Sequence, residues 1–427
     1  MTHQYLQVNQ SGPLSGAVDL FGAKNGALVI MTSLLLTEGV STLYNVPNST
    51  DVQLMIKLLE SLGALITFSA ETRVMKVDTR SLHSQTVCPS IMNKMRASIL
   101  AMGPLLVRFG KAIVANPGGC LIGARPIDYH LKGFKTLGVS IEETAQSIIG
   151  TMSVKNKINS RIIFEYPSVG ATENILMAAT LLPGKTTIIN AALEPEVLDL
   201  ILVLKKMGAQ IETEAPATII ITGVSKLYSI EYEILPDRLE AGALLLAAAM
   251  TKGSITLNNA RPYDMDIFLL KLQEMGHTIL TTPGKQGITF HSTEDPQAVS
   301  FKTGPYPGFP TDLQAPMMAV QAMARGSCLV EETVFENRLM HVRELQKMGA
   351  HITMINNQTA QIKGVETLYG AEVIASDIRA SCALVLAGLA AEGKTKIIGL
   401  HQWQRGYDGL EKKLVSLGGR LGIVQEG

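Results

Sequence analysis

The chain has 427 residues, which is enough for two or three domains, and 46% of them are hydrophobic, so it can bury large cores. Its 37 basic and 37 acidic residues give a formal net charge of zero, which argues against a non-specific nucleic-acid binder. Four scattered cysteines, without a CxxC pair or a nearby histidine, argue against a disulfide framework and a zinc site. The N-terminus lacks the features of a signal peptide, and no apolar run approaches the roughly 20 residues of a membrane span. We therefore expect a cytoplasmic protein that binds neither membranes nor nucleic acids.

Two patterns recur along the chain with a period of about 70 residues. In the first, an amphipathic helix ends at Leu-Gly or Met-Gly, where the glycine is expected to form a left-handed C-cap. These glycines are Gly63, Gly138, Gly208, Gly276, Gly349 and Gly418. In the second, an apolar helix ends in glycine and a strand follows. The glycines of this pattern are Gly39, Gly110, Gly184, Gly253, Gly326 and Gly393.

The apolar helices are predicted within residues 27–36, 97–107, 175–182, 241–250, 317–324 and 382–391. They are apolar nearly all round, so we expect them to be buried, with the amphipathic helices outside. Six such units predict compact lobes of the α/β (α+β) class, with three repeats in each lobe. The first lobe would span residues 22–234, and the second residues 1–21 and 235–427. A strand at residues 5–20 precedes the first buried helix and is expected to join the second lobe.

Functional residues should be those that the repeat does not require. Cys120 lies in a loop, residues 116–126, in which Pro and Gly break regular structure, so its thiol is expected to be exposed. The guanidinium of Arg125 can lower the pKa of this thiol toward neutral. Such a thiol can donate or accept a proton during turnover.

Cations stand at the starts of three apolar helices. Lys24 opens the first, where it either holds an anion beside free backbone N–H groups or extends to solvent. Arg96 and Arg379 occupy equivalent places in units two and six. They either hold phosphate or carboxylate groups, or pair with a nearby acid such as Asp377.

Asp312 follows a Pro/Gly-rich loop and is either a helix N-cap or a base. Arg338 and Arg405 are predicted in loops after the strands of units five and six, as anion ligands or as members of surface ion pairs. Together these cations predict a highly anionic small-molecule ligand. The chain has no P-loop and no Gly-x-Gly-x-x-Gly between a strand and a helix, so we expect no cofactor and no metal.

Nine motifs resemble those of the enolpyruvyl transferase family, and within it the UDP-N-acetylglucosamine 1-carboxyvinyltransferases, over essentially the whole chain. The motifs are Gly22-Ala23-Lys24-Asn25, Met95-Arg96-Ala97-Ser98, Pro117-Gly118-Gly119-Cys120, Gly123-Ala124-Arg125-Pro126, Ser168-Val169-Gly170-Ala171-Thr172, Phe309-Pro310-Thr311-Asp312, Glu336-Asn337-Arg338, Asp377-Ile378-Arg379-Ala380-Ser381 and Arg405-Gly406-Tyr407. The resemblance implies a two-lobed inside-out α/β barrel with three repeats per lobe.

The resemblance also implies the chemistry: the 3′-hydroxyl of UDP-N-acetylglucosamine adds to phosphoenolpyruvate, and phosphate is expelled. Cys120 would protonate C3 of phosphoenolpyruvate, and Asp312 would take the hydroxyl proton. By resemblance, Lys24, Arg125 and Arg405 would hold the phosphate of phosphoenolpyruvate, and Arg379 would lie near its carboxylate. Arg338 and Asp377 are expected to bind substrate. The residues that bind the nucleotide sugar are Asn25, Arg96, Arg125, Pro126, Ile127, Asp128, Tyr129, Ser168, Val169, Gly170, Asp312 and Val334. Lys24 and Arg405 would also act in catalysis.

Three other functions stay open at this point. The chain could be a 5-enolpyruvylshikimate 3-phosphate synthase, which has the same fold and donor. It could be a paralogous transferase acting on another nucleotide sugar. It could also be an inactive repeat protein that only binds a nucleotide sugar. The oligomeric state is open, with a monomer as the simplest expectation.

Overall fold

The structure is a computed structural model that describes residues 3–92, 94–115, 127–152, 159–282, 284 and 286–426. The strands are β1 (His3–Asn9), β2 (Ser15–Val18), β3 (Val40–Tyr44), β4 (Leu65–Ser69), β5 (Val74–Asp78), β6 (Lys111–Ala115), β7 (Ser140–Glu143), β8 (Ser147–Thr151), β9 (Ser160–Ile163), β10 (Lys185–Ile189), β11 (Gln210–Glu214), β12 (Thr218–Thr222), β13 (Glu231–Glu233), β14 (Ser254–Leu257), β15 (Thr278–Leu280), β16 (Ile288–His291), β17 (Phe301–Lys302), β18 (Ser327–Glu331), β19 (His351–Met354), β20 (Thr359–Lys363), β21 (Glu372–Ile374), β22 (Lys394–Ile398) and β23 (Arg420–Glu426).

The helices are α1 (Lys24–Ser33), α2 (Thr50–Ser61), α3 (Pro89–Met92), α4 (Met102–Phe109), α5 (Asp128–Thr136), α6 (Val169–Ala179), α7 (Pro195–Lys206), α8 (Arg238–Met250), α9 (Asp266–Glu274), α10 (Gln314–Gln321), α11 (Val342–Lys347), α12 (Ile378–Ala390), α13 (Leu400–Gly406) and α14 (Leu410–Ser416). Short 3₁₀ helices span Leu34–Leu36, Arg96–Ala101, Pro262–Asp264 and Thr311–Leu313. Within the described residues, none of these helices combines the length and apolar character needed to cross a bilayer.

The six repeats correspond to six small sheets among the described residues. Five sheets have four strands in the same arrangement: a parallel edge strand, a central strand, and two antiparallel strands. In the third repeat, for example, β9 pairs in parallel with β10, which pairs antiparallel with β12, and β11 completes the sheet. The described strands of the second repeat are β6, β8 and β7.

Each repeat places an apolar helix inside and an amphipathic one outside, as the sequence predicts. Every residue of α12 from Arg379 to Leu389, and of α8 from Leu239 to Met250, is buried. These helices begin at side-chain caps, because Asp377 and Asp237 accept the free backbone N–H groups of the first turn. The outer helices end at the six predicted Leu-Gly or Met-Gly positions, and all six glycines have positive φ, which confirms the left-handed caps.

The chain divides into two compact units, and both complete a sheet in the same way. The repeat 1–3 unit comprises the described residues within 22–115 and 127–235, and the repeat 4–6 unit those within 3–21 and 236–426. Strand β2 precedes α1 in the chain but pairs with β14 of the fourth repeat. Strand β13 precedes α8 but pairs with β3 of the first repeat. Each unit is therefore completed by a strand that comes just before the first helix of the other unit.

The N-terminal segment forms two strands, where the sequence analysis expects one. Strand β1 lies between β22 and β23 of the sixth repeat, and β2 joins the fourth repeat. The single-strand prediction was wrong because the alternation of apolar residues across 5–20 does not reveal the break before Ser15. Both strands lie in the repeat 4–6 unit.

A shared turn gives a test of the repeat packing. Gly223, directly after β12, donates its backbone N–H to the carbonyl of Gly184, the glycine that follows the inner helix of its repeat. Gly364, directly after β20, makes the same bond to Gly326. A methyl group on Gly223 would overlap the carbonyl of Leu182. We expect Gly223→Ala to lower the free energy of unfolding by about 3 kcal/mol, since buried backbone cannot shift cheaply.

Urea unfolding followed by circular dichroism measures this change. Gly422→Ala is the matched control, because a methyl there meets no atom within 4 Å. Equal unfolding midpoints for the two variants would contradict the packing described.

Candidate active site

Asp312 lies between two buried guanidinium groups in the repeat 4–6 unit. Arg338 Nη2 donates to Asp312 Oδ1 at 2.7 Å, and Arg379 Nη2 donates to Asp312 Oδ2 at 2.8 Å. The side chains of Arg338 and Arg379 are 4% and 5% exposed, whereas that of Asp312 is 28% exposed. The carboxylate is thus held by cations from the protein side and is open to solvent on another side.

Asp312 is not a helix N-cap. It is the middle residue of the 3₁₀ turn Thr311–Leu313, where Pro310 occupies the cap position and no side chain makes a capping bond. Its oxygens are instead used by the two arginines. The bond pattern therefore excludes the structural explanation offered by the sequence and leaves the role as a base as a prediction.

Arg379 is fixed by three contacts at the start of α12. Asp377 Oδ1 accepts its backbone N–H at 2.8 Å, and its Nη1 donates to the Tyr407 hydroxyl at 3.1 Å, while Nη2 binds Asp312. Asp377 therefore acts as the N-cap of α12, and the alternative of an Asp377–Arg379 side-chain pair was wrong. Burial raises the pKa of Tyr407 well above its ordinary value, so the side chain stays a neutral phenol.

Glu332 connects the loop of Val334 to the turn of Asp312. Its Oε1 accepts the backbone N–H groups of Val334 and Phe335 at 2.8 and 3.1 Å, and its Oε2 accepts the Thr311 hydroxyl at 2.9 Å. The Glu332 side chain is fully buried. Glu332 thereby ties the loop of Val334 to the turn that carries Asp312, Arg338 and Arg379 being bound to that aspartate.

Arg405 is the penultimate residue of helix α13, which is a correction to the loop that the sequence predicts. It is partly buried, and Tyr407 follows two positions later at the end of the helix. Helix α13 can form here because Gly399, at φ 99°, provides the turn from β22 into the helix.

Lys24 occupies the first position of α1 in the repeat 1–3 unit. Its side chain is buried, and its Nζ lies 3.4 Å from Oδ2 of Asp51, which is also buried. The alternative in which Lys24 extends to solvent was therefore wrong. The neighbouring Asn25 is exposed. Asp51 follows the first residue of helix α2, and nothing in the sequence spacing indicates that it pairs with Lys24.

Asn174 lies in α6, the helix that Ser168 caps, and links it to two other segments predicted to bind the nucleotide sugar. Its Nδ2 donates to the Ile99 carbonyl at 2.9 Å and to Nδ1 of His130 at 3.1 Å, and its Oδ1 accepts the Gly103 N–H at 2.8 Å. Ile99 lies in the 3₁₀ helix that Arg96 begins, and His130 directly follows Tyr129, the last residue of the predicted run 125–129. Sequence analysis missed this pair, although a lone amide within an apolar helix was a usable signal.

His130 packs against the start of α6, where Ser168 caps the helix by accepting the Ala171 N–H at 3.4 Å. A methyl group on Gly170 would lie 3.3 Å from Nε2 of His130. Burial, and then the charge of Arg96, lower the pKa of His130 to about 3. Because Asn174 donates to Nδ1, the neutral imidazole carries its proton on Nε2.

Three predicted residues, Cys120, Arg125 and Pro126, lie outside the described residues. The other cysteines, Cys88, Cys328 and Cys382, are free. Among the described residues, no group of three or more His, Cys, Asp or Glu side chains is placed to hold a metal ion.

Comparison with known proteins assigns the family. The model of the family "EPSP synthase (3-phosphoshikimate 1-carboxyvinyltransferase)" matches residues 8–414. The chain belongs to this family. It is accordingly an enzyme of the carboxyvinyl transferase class.

The curated relatives are similar over their whole length. A protein of Finegoldia magna named UDP-N-acetylglucosamine 1-carboxyvinyltransferase is 44% identical over 423 residues, which cover 99% of both chains. A protein of Trichlorobacter lovleyi with the same name is 44% identical over 421 residues, again covering 99% of each.

Solved structures of other family members share the fold. The enolpyruvyl transferase NikO from Streptomyces tendae superposes with a TM-score of 0.90 at 22% identity, over 100% of both chains. An EPSP synthase from Acinetobacter baumannii gives a TM-score of 0.76 at 16% identity, over 99% of this chain and 100% of that one. The predicted fold class, the inside-out α/β barrel built from repeats, is confirmed.

The buried, neutral His130 predicts a specific dependence of stability on pH. Its folded pKa of about 3 lies below the ordinary value of 6.5, so it contributes stability above pH 6.5 that is lost as the pH falls toward 3. Between pH 7 and pH 5 this loss is about 2 kcal/mol, because only the unfolded chain takes up the proton. His130→Asn keeps an acceptor for Asn174 but cannot titrate.

Urea unfolding at pH 7 and pH 5 measures the difference for each variant. We expect the loss of stability on acidification to be smaller in His130→Asn than in the wild type by about 2 kcal/mol. His351→Asn, at an exposed position, is the control and should behave as the wild type. An unchanged loss in His130→Asn would show that His130 is not held neutral.

Proposed function

We propose that this enzyme transfers the enolpyruvyl group of phosphoenolpyruvate to the 3′-hydroxyl of UDP-N-acetylglucosamine and releases phosphate. This reaction is the first committed step of peptidoglycan precursor synthesis, which we place in the cytoplasm. The observation that carries the proposal is the name shared by relatives that are 44% identical over 99% of the chain.

The proposed reaction is an addition followed by an elimination. The acceptor oxygen bonds to C2 of phosphoenolpyruvate while C3 takes up a proton, which gives a tetrahedral intermediate. C3 then loses a proton as the bond between C2 and the phosphate oxygen breaks, and phosphate leaves. In this scheme Asp312 takes the proton of the acceptor hydroxyl, and the Cys120 thiol delivers the proton to C3.

The charges around Asp312 suit an anionic donor. Arg338 and Arg379 are buried and held by hydrogen bonds, so they offer cationic groups that need little reorganisation when charge develops. We assign Arg379 to the donor carboxylate, whereas Arg338 holds Asp312. The assignment of Lys24, Arg125 and Arg405 to the donor phosphate stays a prediction from the family resemblance.

The choice of acceptor separates this function from the main alternative, because the matching family model carries the name of the shikimate enzyme. We expect phosphate release from phosphoenolpyruvate to require UDP-N-acetylglucosamine and to show no rate above background with shikimate 3-phosphate. A phosphate-release assay with each acceptor makes the comparison. Turnover with shikimate 3-phosphate alone would overturn the proposal, as would turnover only with another nucleotide sugar.

The thiol gives a second prediction. Cys120→Ser should reduce phosphate release by at least about 100-fold, the usual contribution of a general acid. Fosfomycin, an epoxide that a reactive thiolate can open, should alkylate the wild type at Cys120, as read by peptide mass spectrometry.

Cys88→Ser is the control for both measurements. The Cys88 thiol is partly exposed, and its hydrogen bond with Ser90 lowers its pKa, so it is itself a candidate for modification. Labelling at Cys88 in place of Cys120, or full activity of Cys120→Ser, would refute the general-acid role.

A further inference from the structure

Two cations oppose the proposed role of Asp312 as a base. Each of its oxygens accepts one short, charge-assisted hydrogen bond from a buried guanidinium, at 2.7 and 2.8 Å. The remaining lone pairs can still meet the acceptor hydroxyl, but the two guanidinium charges stabilise the carboxylate and oppose its protonation. Loosening one of the two bonds therefore makes Asp312 a stronger base.

Arg379 is the partner that the substrate can withdraw. In the proposed function its guanidinium binds the donor carboxylate, and in the structure its Nη2 already neutralises Asp312. Two carboxylates would then share the charge of one guanidinium, and each must weaken the hold of the other. Thermodynamic coupling between two binding events is reciprocal. If Asp312 lowers the affinity of Arg379 for the donor by a given factor, the bound donor weakens the Arg379–Asp312 ion pair by the same factor.

Tyr407 holds the other side of Arg379 without taking part in this competition. Its hydroxyl accepts from Nη1 at 3.1 Å, and its buried ring packs on Trp403 with centroids 5.0 Å apart. Because the phenol is neutral, it fixes the guanidinium without neutralising it. This hydroxyl also lies beside the buried thiol of Cys382.

We propose that the donor carboxylate competes with Asp312 for Arg379, so that donor binding frees Asp312 to act as the base, and that Tyr407 is a positioning residue that keeps Arg379 in place during the exchange. This inference rests on the proposed function. Asp312 is then the stronger base when the donor occupies Arg379, so removal of the acceptor proton is coupled to donor binding.

The competition predicts an unusual gain of affinity. Asp312→Asn removes the competing charge, so phosphoenolpyruvate should bind about tenfold more tightly, within the usual range of coupling between sites. Isothermal titration calorimetry with phosphoenolpyruvate, in the absence of acceptor, measures the dissociation constant. Asp295→Asn is the control, since it removes the same charge from an exposed pair with Arg325 in the same unit and should leave the affinity unchanged.

The positioning role of Tyr407 predicts a selective change in kinetics. Tyr407→Phe should raise the KM for phosphoenolpyruvate about fivefold, because a loosened guanidinium holds the donor less well, and leave the KM for UDP-N-acetylglucosamine unchanged. Cys382→Ala removes the thiol beside the hydroxyl but keeps the bond to Arg379, so it should behave as the wild type. A fall in melting temperature with both KM values unchanged would reduce Tyr407 to a structural residue and overturn this part.

The outcomes separate the inference from the function on which it rests. Wild-type turnover together with unchanged or weaker donor binding in Asp312→Asn would overturn the competition but keep the proposed function. A wild type that neither binds phosphoenolpyruvate nor releases phosphate would overturn both.

Discussion

The inner helix of each repeat has no polar face, and this constraint governs where chemistry can lie. Helices such as α8 and α12 are buried along nearly their whole length. A charged side chain in the middle of such a helix would lose its hydration without compensation. Charged groups are therefore favoured at helix ends, where backbone N–H groups and turns can bind them. The buried Asn174 in the middle of α6 is a neutral amide whose nitrogen and oxygen both make hydrogen bonds.

The candidate site residues follow this rule in both units. Lys24 begins α1, Arg96 begins a 3₁₀ helix, and Ser168 caps α6. In the other unit Asp312 lies in the turn before α10, and Arg379 is the second residue of α12. Five of the six repeats thus place a candidate residue at or just before the start of the inner helix, and the residue type varies between repeats.

Burial of the Arg338 and Arg379 guanidinium groups beside Asp312 costs free energy, because both lose their hydration. The attraction of a single carboxylate offsets this desolvation cost only in part. Such an arrangement favours a second anion, which the donor of an enolpyruvyl transferase would supply. Glu332 accepts the Thr311 hydroxyl and the Val334 N–H, and these bonds fix the turn that carries Asp312.

The periodic features of this protein can be read from its amino-acid sequence. The repeat, the buried helices and the six left-handed glycines follow from local spacing, because each depends on residues close in the chain. The motifs around Lys24, Arg96, Asp312 and Arg379 were likewise readable as candidates for anion binding.

The partners of these residues emerge only from the tertiary structure. They are Asp51 for Lys24, Asp312 and Tyr407 for Arg379, and Asn174 for His130. The tertiary structure also decided that β2 and β13 complete the sheets of distant repeats. These pairings join residues far apart in sequence, and no local pattern encodes them, since they depend on how whole repeats pack.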